Sequence, residues 1–274
     1  MKKEESAIIS HFILYQNSFF SIIEKLKDGY RNGRFKDWKG FITINGPVVF
    51  QPEILFVGIN PGPGLYNEIN CNDNGNRVPF RILNGVGSYY RDESVFPLRK
   101  PIYRSDGKTI ALDWFIKSNY RDESAWYGLK TKPGNNFVGN MIKIICKVAY
   151  GLGKGELKKG VKPEWYDTFG KQIMFLNVCP FATNNLAQLN LLKKELGVDE
   201  WKDIVMPIRV LVKDFVKPKV IVFAGVAAYN YFMWEDKGNK IFDIPVIVID
   251  RKRGYNSEEN LSGIASEIVE ALRK

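Results

Sequence analysis

Residues 53–64 read EILFVGINPGPG: an apolar run, Glu53 to Gly58, that breaks into a segment holding three glycines, two prolines and one amide, Asn60. Proline removes a backbone donor and glycine permits close approach or positive φ, so a central strand cannot continue through GINPGPG. The run is therefore a buried strand, and it opens into a loop shaped around something.

The same grammar recurs along the chain. Gln172 to Val178 (QIMFLNV), Lys219 to Gly225 (KVIVFAG) and Pro245 to Asp250 (PVIVID) are short and continuously apolar, without alternation, and each is bounded by turn residues. Such runs mark strands covered on both faces by helices. Helical periodicity is readable at Ser6 to Leu26, Asn136 to Tyr150, Glu200 to Val216, Ala227 to Trp234 and Ser257 to Leu272. The order predicts an α/β fold, a three-layer α/β/α sandwich around a central, mainly parallel four-stranded sheet. A length of 274 residues, 45% hydrophobic, suffices for one large domain spanning residues 1–274. The polar and aromatic stretch Tyr66 to Asn135 is read as a functional excursion inside that domain. YRDES occurs at Tyr90 to Ser94 and again at Tyr120 to Ser124, without a third copy, so no repeat architecture is implied.

Forty Lys and Arg against thirty Asp and Glu leave a net charge of +10, which favours a polyanionic partner such as nucleic acid. Cys71, Cys146 and Cys179 are widely spaced, with no CxxC pair, so no zinc or iron–sulfur site is signalled and a reducing compartment fits. No apolar run has membrane-spanning length, and acidic residues interrupt the amino-terminal MKKEESAIISHF, so the expected location is cytoplasmic.

In open α/β sheets, ligands bind beyond the carboxyl ends of the strands. Four loops qualify, beginning at Asn60, at Asn177 with Cys179, at Gly225, and at Asp250 with Arg251. An amide donates and accepts at once. Asn60 either caps its own turn or faces a ligand, and Asn177 either satisfies buried backbone or does the same. The loop is neither a Walker phosphate loop nor a GxGxxG dinucleotide turn.

Taken in order, GINPGP, VPF (Val78 to Phe80), NVCPF (Asn177 to Phe181) and VIVFAGVAAYNYF from Val220 resemble the uracil-DNA glycosylase superfamily. The single-strand-selective monofunctional branch, whose loops read GMNPGP, GVPFG and NLCP, is the most similar. GINPG is equally like the mismatch-specific branch, and NNFVGNMIKI (Asn135 to Ile144) is similar to its NRFW segment. The resemblance implies that Asn60 positions an attacking water and that Gly58, Ile59 and Gly62 lend backbone to a base pocket. Phe80, or in its place Tyr66, would stack on an everted base, and Asn177 would bond the pairing edge of that base. An amide facing O4 and N3–H of uracil satisfies an acceptor and a donor together, whereas cytosine presents the reverse pattern. Asparagine is a poor base, so the implied reaction relies on departure of the base through an oxocarbenium-like state.

Two departures stand beside these matches. Where the family carries an HPS-like or NPS-like motif after the last strand, this chain reads IDRKRGYN, Ile249 to Asn256, and its one histidine, His11, is read as a surface or packing residue of the first helix. Arg251 or Arg253 either supplies fixed positive charge to the departing base or, with Lys252, contacts phosphate. The interval from Asn60 to Phe80 is also longer than in the single-strand-selective branch. Further basic clusters, Lys154 to Lys162 and Arg99 to Arg104, are either backbone-neutralising loops or solvated faces.

The expectation is a monofunctional DNA glycosylase acting on uracil or a related base, in base excision repair, with single-stranded or locally opened DNA as partner. No metal and no organic cofactor is implied. A glycosylase for a bulkier modified pyrimidine and a catalytically silent nucleic-acid-binding protein are the alternatives.

Overall fold

A computed structural model describes residues 49–59, 140–156, 163–179, 186–233, 242–251 and 256–274, together with Glu4, Ala7, His11 and the backbone of 101–103, 109–111 and 136–139. In chain order the elements are β1 (Ile54–Gly58), β2 (Pro101–Tyr103), β3 (Thr109–Ala111), α1 (Asn136–Gly151), α2 (Trp165–Thr168) and β4 (Ile173–Asn177). Next come α3 (Leu186–Val210), β5 (Val220–Phe223), α4 (Val226–Phe232), β6 (Val246–Val248) and α5 (Glu258–Arg273).

The four apolar runs form one sheet in the order β4-β1-β5-β6, and every pairing in it is parallel. In β1, β4 and β5 the lack of alternation has the expected cause, because both faces are buried, whereas the edge strand β6 buries only Ile247 and leaves Val246 exposed. Ile54, Phe56, Ile173, Phe175, Val220, Val222 and Ile247 share one apolar cluster with Met141, Ile144, Ile145 and Val148 of α1 and Leu261, Ala265 and Ile268 of α5. The alternate residues Leu55, Val57, Met174, Leu176, Ile221 and Phe223 are equally buried. On that side the Phe223 ring meets Tyr229 and Phe232 of α4, with centroids 5.4 and 5.1 Å apart. Full burial of one such side chain is worth roughly 1.5–3 kcal/mol relative to exposure.

Helix α5 starts on Ser257, whose side chain accepts from the Asn260 amide, and carries Glu258 and Glu259 in its first turn, where the helix dipole favours negative charge. It ends on Arg273, which donates to the Gly151 carbonyl at the end of α1 at 2.7 Å, while Lys147 of α1 pairs with Glu258 at 2.5 Å. The two helices are thus tied at both ends of their contact.

Two elements differ from the expectation. The span α3 is two helical segments that meet at Gly197, whose φ of 79° and ψ of −175° are not helical. The second, with the π-helical turn Leu211–Val216 that ends on left-handed Lys217, covers the expected Glu200 to Val216, and the first, from Leu186, is additional. Leu189, Leu192 and Leu196, spaced three and four apart and all buried, carry the extra turns. Within the stretch read as a functional excursion, where no strand was singled out, β2 and β3 pair antiparallel, Ile102 opposite Ile110. Most of the expected Ser6 to Leu26 helix lies outside the described residues; Ala7 and His11 within it are helical. No helix among the described residues is long and apolar enough to cross a membrane.

Candidate functional site

Parallel pairing brings the carboxyl ends of β4, β1, β5 and β6 to one edge of the sheet. The ladder continues past the strands, with Val178 N–H bonded to the Gly58 carbonyl, Cys179 N–H to Ile59, Ala224 N–H to Val57 and Ile249 N–H to Phe223, all at 2.8–2.9 Å. From β1 the chain goes to β4 on one flank and later to β5 and β6 on the other. The switch point where such sheets bind ligands therefore falls at the end of β1.

Two groups of the expected site residues meet there. In the first, Gly58 and Asn177 are register partners at the ends of β1 and β4. They extend the face of Phe56 and Phe175, whose rings stack at 5.4 Å with planes 15° apart. Asn177 is 5% exposed, and its Oδ1 lies 2.6 Å from where a β-carbon on Gly58 would stand. Its Nδ2 is buried with no hydrogen-bond partner among the described residues. A buried donor left unmade costs roughly 1–3 kcal/mol, so this amide is set toward something other than its own backbone.

The second group lines a cleft of about 510 Å³. Its lining includes Ile59, Leu186, Gly225, Val226, Asp250 and Arg251. Gly225 has φ 130° and ψ 146°, a backbone that only glycine adopts without strain, and the Arg251 side chain crosses directly over it. Ile59 and Arg251 thus share one cleft, which Gly58 and Asn177 do not line.

A polar cluster links α3 and α4. The Tyr231 hydroxyl donates to Asn190 Oδ1, and its ring lies edge-on to Trp201 at 5.3 Å. Burial first, and then the neighbouring Cys179, push the Tyr231 hydroxyl up to about 12, so it is a donor at any physiological pH. Burial likewise pushes the thiol of Cys146, on α1, up to about 12 and leaves it protonated. Among the described residues no group of three or more His, Cys, Asp or Glu side chains is arranged to hold a metal ion.

His11 is half-buried with its ring 4.6 Å from that of Phe215, which is the packing role expected of it. Lys154 lies 5.4 Å from the centroid of Phe169. Asn60, Gly62, Tyr66, Phe80, Lys252 and Arg253 lie outside the described residues, as do Cys71 and most of the two basic clusters. Sequence reasoning passed over Leu186, Asn190 and Tyr231. The AYNYF segment displays Tyr231, but nothing local signals a partner forty-one residues away.

The chain matches no protein-family model, and no curated protein sequence matches it.

Proposed function

We propose that this protein is a monofunctional DNA glycosylase that everts a uracil or related base and hydrolyses its N-glycosidic bond, leaving an abasic site. The observation that carries the reading is the buried amide of Asn177, its donor unsatisfied, at the carboxyl edge of a parallel sheet. A base edge completes such a donor, and the net charge of +10 suits the backbone that delivers the base.

In this reading the chain folds as a single domain, a three-layer α/β/α sandwich, in the cytoplasm. Backbone at Gly58, Ile59 and Gly62 shapes the pocket, Phe80 or Tyr66 stacks on the base, and Asn60 orients a water. As the bond from the sugar to the base nitrogen breaks, the bonding pair leaves with the base and water oxygen adds to the sugar carbon. The proton released from that water ends on solvent or on the departed base. Arg251 or Arg253 stabilises the anion that develops, a task suited to a fixed charge aimed at the leaving group. Lys252 neutralises phosphate beside them.

The experiment is single-turnover abasic-site formation on single-stranded and duplex oligonucleotides carrying uracil, a bulkier modified pyrimidine or only ordinary bases. Cleavage at uracil is the expected result. Cleavage confined to the bulkier base moves the substrate class, and retention of DNA without any abasic product overturns the enzymatic reading in favour of a silent binder.

A further inference from the structure

We propose that Gly58 is a positioning residue for the Asn177 amide, and that the space its missing side chain leaves commits the amide to present a hydrogen-bond donor to its ligand. The preference for a ligand that this entails rests on the base-recognition reading above; the positioning itself does not.

Gly58 sits in the extended backbone of β1, paired on one side with Asn177 and bonded through its carbonyl to Val178. Glycine in a strand forfeits packing and costs chain entropy, and its use there commonly marks a place that another group approaches closely. The approaching group is identified by geometry. A β-carbon on Gly58 would stand 2.6 Å from Asn177 Oδ1, while the next nearest atoms, Asn177 Cγ and the Leu176 carbonyl oxygen, lie at an ordinary 3.8 Å. The conflict is therefore with the tip of one amide and not with the frame of the sheet.

The amide has little alternative. One step toward the amino ends of the same strands, the stacked rings of Phe56 and Phe175 fill this face of the sheet. Over Gly58 the oxygen rests against Cα–H, a weakly favourable contact, whereas the amino group there would set hydrogen against hydrogen. With Oδ1 so placed, Nδ2 is the atom left buried and unpartnered. A site that offers a buried donor accepts a ligand with a carbonyl oxygen and rejects one with an exocyclic amino group, which would leave two donors facing each other.

Gly58→Ala tests both halves. In the ¹⁵N-labelled protein, the Asn177 side-chain NH₂ pair, identified by its loss in Asn177→Ala, is expected as one dispersed resonance pair in wild type. In Gly58→Ala it is expected to collapse toward the shifts of free asparagine while the remaining spectrum persists. An unmoved pair overturns the positioning. Should Gly58→Ala fail to fold, the double variant Gly58→Ala/Asn177→Ala is expected to restore folding, since the clash is with the amide alone; a double variant that stays unfolded overturns the claim. On a single-stranded oligonucleotide with one uracil, Gly58→Ala and Asn177→Ala are each expected to slow single-turnover cleavage by about tenfold to a hundredfold, the loss of one well-formed buried contact. The double variant is expected to be no slower than Asn177→Ala. Additive losses would show that Gly58 acts through something else. Wild-type protein that cleaves no base removes the glycosylase reading and with it the preference for a carbonyl ligand, and the resonance experiment alone then decides the positioning.

Discussion

The side chain of Arg251 lies across the bare α-carbon of Gly225: Cδ is 3.3 Å and Cγ 3.9 Å from where a β-carbon would stand. The turn after β5 thereby seats the first residue beyond Asp250 in the lining of the cleft. Gly225→Ala would both meet Arg251 and hold an L-residue at φ 130°, so it is expected to lower stability by roughly 1–3 kcal/mol. Urea unfolding of the two proteins measures this, and equal midpoints would show that neither contact nor conformation matters there.

Arg251→Gln separates the two roles open to that arginine. As stabiliser of the departing base, its loss should slow cleavage from the bound complex by about 10²–10³-fold, while binding to undamaged DNA falls slightly and the salt slope drops by about one unit. A phosphate contact gives the opposite pattern, weak binding with cleavage intact. Arg253→Gln is the matching comparison on the same loop. Because guanidinium charge is permanent, wild-type activity is expected to hold as pH rises through about 6.5, where an imidazolium would be lost.

Asn177→Ala is expected to erase discrimination between bases more than it weakens DNA binding, since a base edge and not phosphate is its proposed contact. The loss should be about 1–3 kcal/mol of transition-state stabilisation. Competition between uracil and cytosine substrates is the measurement, and unchanged relative rates would remove Asn177 from the site.

The Lys147–Glu258 pair predicts an acid-side change in stability. The hydrogen bond from Lys147, then its charge, hold the Glu258 carboxyl below its usual value. The folded state therefore binds this proton less readily than the unfolded chain does. The contribution is present above the unfolded carboxylate range, about 4.3, and disappears as pH falls through the lower folded value. Glu258→Gln should melt slightly below wild type at neutral pH and low salt, with the two curves converging in acid and at high salt. A gap that persists in acid would assign the effect to the helix start and not to the ion pair.

The sheet was legible in the sequence because local pattern carries it. The runs at Ile54, Ile173, Val220 and Val246 are apolar on both faces and stop at turn residues, and each lies where that pattern put it, within one or two residues at each end. Gly58, Asn177, Gly225 and Arg251 could be placed at strand ends for the same reason. The segment of α3 before Gly197 was less legible, since that glycine breaks the helix and separates Leu189, Leu192 and Leu196 from the periodicity that runs on from Glu200. Which strand ends share a wall depends on the order β4-β1-β5-β6, and no local signal encodes an order in which β1 lies beside strands more than a hundred residues later. Residue types and strand ends are set by side-chain periodicity, a property of neighbours in sequence. The meeting of the Asn177 amide with the empty space over Gly58, and of Arg251 with Gly225, is set by register between distant segments, which only packing of the whole sheet decides.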